Sequence, residues 1–442
     1  MKYRLTKMTL IRKVGSRSFL LNSNFDYSKR AIPQLSDFGV EIAEYLMCTR
    51  EEEDIIKKFR NSEISREDIL EFLRYLINGG YVDRWEKTYD RRFISDLVKT
   101  EWKDSRTFYG ATFELTPKCN FKCIHCYLGE NRYHNDELST DQIKTILGKL
   151  CENGLFMVFL SGGEPLLRKD FIEIYKYARK KGMLVDVFTN GYLINDELIS
   201  VFEQYPPMEI DISLYGASDE KYFEITGIKQ GFTTVSNNID KLLAKGINVS
   251  LKSPIILPLK DSIGDMRKFA QSRNIPFRVA FDVVPDIDNH EIPLAIPPEE
   301  IPVLKEKYSN TYIADKNIVS ELMTKKIEPI RKRYNCSTGK CSGFVDYKGN
   351  FSPCIELRFK GRSLLENDFD DIWKEIGTYA YETISEDDYK CVGCEYLAVC
   401  TSCPAIRERM YGSPKIVNER DCRQARLYYE YIKRRLKDER GN

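Results

Sequence analysis

Apolar and polar positions follow three successive patterns along these 442 residues. Up to about Asp83 the chain reads as small strands followed by helices. Met8–Lys13 and Phe19–Asn22 alternate as two strands about a turn at Gly15–Ser18. Apolar residues at helical spacing predict a helix over Ser36–Met47, with Ser36 as its N-cap, and another over Glu51–Phe59. Ser65 opens a third, whose Ile69, Phe72, Leu73 and Leu76 form one stripe. Gly79–Gly80 close it before a returning strand at Tyr81–Val82. This order describes a winged-helix-like module. Residues 84–108 are charged and read as a connecting segment.

From Thr112 strands and helices alternate. Thr112–Leu115, Met157–Leu160, Leu184–Phe188, Glu209–Leu214, Asn248–Ile256 and Phe277–Asp282 are strand-like. Helical stretches fall between them, among them Thr140–Leu150, Phe171–Lys181, Thr234–Lys245 and Ile263–Ser272. Six βα units in series predict an α/β fold, a parallel sheet curved into a partial (β/α)6 barrel, with chemistry at the carboxyl ends of its strands. Past about Pro297 the alternation stops. Helical segments at Glu299–Tyr308 and Val319–Arg333 lead to a loop-rich stretch, and Asp421–Lys437 reads as a closing helix.

Composition narrows the class. Apolar residues make up 42% and charged residues 31%, values of a soluble globular chain, and the formal net charge is +1. Nothing in that balance favours nucleic acid or an anionic membrane. The N-terminus lacks the apolar run of a signal peptide and no stretch is apolar enough to span a bilayer, so a cytoplasmic location is expected. In a reducing compartment the thirteen cysteines are not expected to be disulfides, and they cluster: three at 119–126 and eight between 336 and 422. Cys48 and Cys151 stand apart on predicted helices as small buried hydrophobes. With three histidines in the chain, clustered cysteine points to iron–sulfur chemistry or all-cysteine zinc.

Cys119, Cys123 and Cys126 stand on one loop after the first barrel strand, in CxxxCxxC spacing. Four thiolates normally complete a 4Fe–4S cluster, so three leave one iron open for chemistry. The competing reading is a structural zinc loop completed by His125. It is disfavoured because His125 lies between two of the cysteines and Ser161-Gly-Gly-Glu-Pro165 ends the next strand. This constellation resembles the signature of the radical S-adenosylmethionine (radical SAM) superfamily. The resemblance implies that the open iron chelates the cofactor's methionine, and that an electron from the cluster breaks a carbon–sulfur bond to give a 5′-deoxyadenosyl radical. It further implies cofactor contacts at His125 (adenine), Gly162, Gly163 and Glu164 (methionine amine), Thr189, Asn190 and Ser213 (methionine and ribose), and Lys252 (carboxylate).

The remaining cysteines, with Gly349-x4-Cys354, then Cys391-x2-Cys394-x5-Cys400-x2-Cys403 and Cys422, permit two four-cysteine sites, and spacing alone also allows zinc ribbons. Their order resembles the SPASM extension of radical enzymes, which carries auxiliary clusters. That resemblance implies one cluster on Cys336, Cys341, Cys354 and Cys403, and another on Cys391, Cys394, Cys400 and Cys422, giving three 4Fe–4S clusters in all. Cys400 and Cys403 are separated by two residues where the usual pattern has three. An open auxiliary iron at that point would be able to bind a substrate thiolate.

The winged-helix-like module first suggests DNA, but its third helix, SREDILEFLRYLING, offers no basic face. It looks instead like the recognition element of enzymes that modify ribosomally made (RiPP) peptides, where a leader adds as a strand to the sheet edge. The division expected is then 1–90 recognition element, 91–108 linker, 109–290 radical SAM barrel, 291–335 helical bridge, 336–425 SPASM domain and 426–442 C-terminal helix. The function expected is a peptide maturase that installs a cysteine-to-carbon thioether of the sactipeptide or ranthipeptide kind. Its partners would be a precursor peptide and a low-potential electron donor such as flavodoxin or ferredoxin, with no nucleic acid and no membrane. The alternatives are carbon–carbon crosslinking, epimerisation and, in a different class, a redox-sensing DNA-binding regulator.

Overall fold

The fold is seen in a computed structural model that describes residues 2–3, 9–14, 17–22, 34–46, 50–61, 63–79, 81, 108–129, 136–290, 293–308, 333–334, 336, 338–382 and 389–440. The amino-terminal strands are β1 (Lys2–Tyr3), β2 (Thr9–Val14), β3 (Arg17–Asn22), β4 (Gln34–Leu35) and β5 (Arg50–Glu51). β2, β3 and β4 form an antiparallel sheet, and β1 pairs with β5. Three helices follow the sequence pattern: α1 (Asp37–Tyr45), α2 (Glu52–Phe59) and α3 (Arg66–Asn78). Ser36 Oγ accepts from Gly39 N, as a cap should. At α3 a reciprocal capping box joins Ser65 and Asp68. Leu20, Ile42, Ile55, Ile69, Leu73 and Leu76 make one small core.

The expected strand at Tyr81–Val82 is corrected for Tyr81, which lies in no strand; Val82 is outside the described residues. Tyr81 N instead donates to Leu76 O, and its buried ring closes over Gly79. A Cβ on Gly79 would lie 2.4 Å from that ring, so the glycine serves close packing.

The barrel strands are β6 (Gly110–Glu114), β7 (Met157–Ser161), β8 (Leu184–Thr189), β9 (Glu209–Ser213), β10 (Val249–Pro254) and β11 (Phe277–Ala280). All are parallel to their neighbours, in sequential order. Val158, Leu160, Val185, Val187, Ile210 and Ile212 face outward into a core shared with α4 (Thr140–Glu152), α5 (Phe171–Lys180), α6 (Asp196–Gln204), α7 (Asp219–Thr226), α8 (Gly231–Ala244) and α9 (Ile263–Gln271). The alternate positions, including Asp186, Asp211, Lys252 and Arg278, face the interior, as the two-residue period requires.

One feature departs from the expected modules. The sheet does not stop at the barrel. β12 (Ser342–Val345) lies parallel to β6, and β13 (Asn350–Ser352) and β14 (Arg362–Ser363) continue it antiparallel, giving nine strands. The stretch read as loop-rich therefore supplies the neighbour of the first barrel strand. Helices α10 (Ile301–Tyr308), α11 (Phe369–Tyr381), α12 (Pro404–Tyr411) and α13 (Glu419–Arg440) complete the described chain. Most of the helix expected over Val319–Arg333 lies outside the described residues, and Arg333 itself sits in a bend. The connecting segment is outside them except Phe108, which is buried against Phe351, Phe369 and Trp373. Cys48 also lies outside. Cys151 is half-buried rather than fully buried, its Sγ 3.6 Å from Lys181 O.

Ser65→Ala removes one half of the α3 capping box and is expected to cost about 1 kcal/mol. Hydrogen exchange should show faster opening of the first turn of α3 while the barrel strands are unchanged.

Candidate active site

The site is assembled at the carboxyl end of the barrel by a close fit between two backbone segments. After β6 the chain turns through Thr116, Pro117 and Lys118 into the cysteine loop. After β7 it turns through Gly162 and Gly163 and lies against that loop: Gly163 N donates to Thr116 O and Glu164 N to Lys118 O, both at 2.8 Å. A Cβ on Gly163 would lie 2.4 Å from the carbonyl oxygens of Pro117 and Lys118, and one on Gly162 2.5 Å from Thr116 O. The two glycines are thus required by backbone-to-backbone packing. Arg168, almost buried, fixes the start of the loop by donating to Leu115 O and Leu138 O while paired with Asp170.

Glu164 is fully buried. Its Oε1 accepts from Thr189 Oγ1 at 2.7 Å and Leu166 N at 3.1 Å, and its Oε2 accepts from Asn190 N at 2.7 Å. Burial pushes its pKa up to about 7 against those hydrogen bonds. A carboxylate offers about four lone-pair positions. Three are used, which leaves room at Oε2 for one more donor, such as an ammonium group. Asn190 Nδ2 reaches Asn120 Oδ1 at 2.8 Å and Cys119 Sγ at 3.9 Å. Glu164, Thr189, Asn190 and the first cysteine are therefore one connected network.

Cys119, Cys123 and Cys126 are all half-buried. Burial pushes the Cys119 thiol up to about 12, a penalty that metal ligation of the thiolate removes. His125 is held near neutral form, its pKa lowered to about 4 by burial, with its ring 5.3 Å from that of Tyr215. Its Nδ1 is buried without a hydrogen-bond partner. Ser213 and Lys252 sit opposite each other on β9 and β10. Lys252 Nζ lies 3.6 Å from the centre of the Phe188 ring and 3.8 Å from Asp211 Oδ2, toward the barrel interior.

Three participants besides Glu114 were not singled out by the spacing. Tyr127 Oη donates to Glu114 Oε1 at 3.1 Å, and Arg358 Nη1 approaches Glu114 Oε2 at 3.3 Å. Glu114 ends β6, Tyr127 follows the last loop cysteine, and Arg358 comes from beyond Cys354. A buried charge thus ties the loop to the C-terminal region. Tyr215, packed on Phe121, His125 and Tyr222, is the third. An aromatic residue two positions after Ser213 was the one clue to it.

Burial first, and neighbouring thiols after it, raise the pKa values of Cys341, Cys354, Cys400, Cys403 and Cys422. Cys336 acts on Cys341 and Cys403, and Cys403 on Cys354. Cys391 and Cys422 act on Cys400, and Cys391 and Cys394 on Cys422. Among the described residues, the only three potential ligand atoms within 4.8 Å of one another are those of Asp286, Asp288 and His290. The eight C-terminal thiols are free and offer all-sulfur donor sets, which suit iron–sulfur clusters. The Asp286 group closes its own turn, with Oδ1 accepting from Asp288 N and His290 N.

Comparison with known proteins defines the class. Residues 113–272 match the Radical SAM superfamily and form a domain of that family. S-adenosylmethionine and a 4Fe–4S cluster are the cofactors this membership brings. An AdoMet-dependent heme synthase of Methanosarcina barkeri is 25% identical over 324 residues, 68% of this chain and 91% of that one. The subtilosin biosynthesis protein AlbA of Bacillus subtilis is 32% identical over 157 residues, 35% of each chain. Relatives above 30% identity align over 35–42% of their own length. In fold, the chain is similar to Streptococcus suis SuiB, solved with its precursor peptide SuiA. The TM-score is 0.58 at 15% identity, over 95% of this chain and 99% of that one.

Glu164→Gln puts an amide NH2 against groups that are themselves donors. Thermal unfolding is expected to show a loss of roughly 1–3 kcal/mol, and equilibrium dialysis a weaker grip on S-adenosylmethionine.

Proposed function

We propose that the chain is a maturase that oxidises a ribosomally made precursor peptide, joining a cysteine sulfur of that peptide to a carbon. The observation that carries this reading is the junction at Glu114. It holds the cysteine loop, through Tyr127 and Arg358, against a region with eight further cysteines. One cluster suffices to cleave the cofactor; two more beside it suit a reaction that must also take electrons away. The relatives AlbA and SuiB, named for bacteriocin biosynthesis and for a precursor-peptide complex, support the same substrate class.

In this reading the amino-terminal sheet of β2, β3 and β4 binds the leader by strand addition and raises the local concentration of the core peptide. Cys119, Cys123 and Cys126 hold the first cluster, with Glu164 receiving the cofactor's ammonium, His125 packing on its adenine, and Thr189, Asn190, Ser213 and Lys252 lining the cofactor. With both groups bound, the cofactor supplies an adenosyl radical that takes one hydrogen atom from the peptide. Forming the carbon–sulfur bond then releases the thiol proton and one electron, and the eight C-terminal cysteines would hold the iron–sulfur acceptor for that electron. Carbon–carbon crosslinking balances in the same way. A second reading, a step of heme synthesis, is favoured by the length of the heme synthase alignment.

Anaerobic co-expression with short peptides encoded beside the gene, followed by tandem mass spectrometry, decides among them. A peptide lighter by two hydrogens per link, with its cysteine blocked, is expected. An unmodified peptide together with normal cofactor cleavage rejects the maturase. Replacing Cys119, Cys123 and Cys126 together by alanine should abolish deoxyadenosine and remove about four irons per chain; undiminished deoxyadenosine would reject the loop assignment.

A further inference from the structure

Arg407 keeps only 3% of its surface exposed. It stands on α12, in the turn that begins at Cys403. Its Nη2 donates to Tyr389 Oη at 2.6 Å, and its Nη1 lies 3.6 Å from Cys391 Sγ and 3.5 Å from Ser402 Oγ. Its Nε is buried without a partner. Every one of these partners is neutral while protonated. No carboxylate among the described residues lies within the 4.0 Å of an ion pair. Even Glu408, the adjacent residue, is turned away toward Arg333 and Tyr334.

A guanidinium does not give up its proton in a protein, and burying one without an opposing charge is strongly unfavourable. Ser402 Oγ donates in turn to Asp421 Oδ2 at 2.7 Å, so one carboxylate stands a hydrogen bond removed, while the group in direct contact that can become anionic by binding a cluster is Cys391. Cys391, which Arg407 touches, is grouped by its sequence motif with Cys394, Cys400 and Cys422, and four thiolates around an iron–sulfur core are anionic overall. Donors to cluster sulfur and nearby positive charge favour the reduced state.

We propose that Arg407 is the built-in counter-charge of the cluster on Cys391, Cys394, Cys400 and Cys422, raising its reduction potential so that it accepts an electron. This rests on the assignment of those four cysteines to a cluster. Each reduction adds one electron, and so one negative charge, beside a cation that is already in place. Arg407 is a tuning residue and touches no reacting atom of the peptide.

The test uses the full-length, anaerobically reconstituted chain with Cys119, Cys123 and Cys126 replaced by alanine. Its clusters are titrated with dithionite through mediators and followed by electron paramagnetic resonance. Cys391→Ala identifies the step that belongs to this set. Arg407→Gln is expected to move that step, and no other, to more negative potential at unchanged iron content. Arg407→Lys should restore most of the shift. Should Arg407→Gln lose iron, Arg407→Met, of similar reach and without charge, takes its place and is expected to give a shift of the same sign. An unmoved step in the variants that keep their iron overturns the proposal. If the four cysteines instead hold zinc by elemental analysis, the cluster assignment fails, and the proposal with it.

Discussion

The open end of the barrel depends on one steric constraint, the distance at which two backbones meet. Gly162 and Gly163 lie so close to Thr116, Pro117 and Lys118 that no side chain fits between them. Because they do, Glu164 enters the barrel mouth at full burial and can staple β7 to the end of β8. Asn190, held by that staple, reaches Cys119. Cluster loop, carboxylate and Thr189–Asn190 turn are consequently set by one another. None of them has an independent position.

A second junction carries this order outward. Glu114 is buried and acidic, a costly combination that Tyr127 and Arg358 offset. Arg358 belongs to the same stretch that builds β12 and β13, so charge pairing and strand pairing bind the same two regions. Ile287 N donates to Tyr127 O, and Arg409 on α12 donates to Pro285 O. The cysteine-rich region is thus held from both sides of the barrel mouth.

How much of this was legible in the sequence follows from the range of the forces involved. The helices of the first module were readable because capping and periodicity are local: Ser36 and Ser65 cap where their spacing says they should. The six barrel strands were readable for the same reason, to within a few residues at each end. Cys119, Cys123 and Cys126 share a short loop, so their proximity needed no fold. β12 was not readable, since Ser342–Val345 is short and its partner lies more than two hundred residues earlier. Tyr81 was misread because its aromatic character suits a strand, whereas tertiary packing over Gly79 decided its place. Arg358 and Arg407 are single residues whose partners come from distant segments, and no periodicity marks them.

The pairing of β12 with β6 also bears on how such an enzyme can be taken apart. A barrel cut away before the cysteine-rich region would present β6 as a bare edge, with unpaired amide and carbonyl groups inviting other chains to add to it. It would also leave Glu114 without its guanidinium. Exchanging the C-terminal region between enzymes of this class is therefore not a matter of joining linkers. The incoming segment must bring a strand of the right register and a cation at its far end.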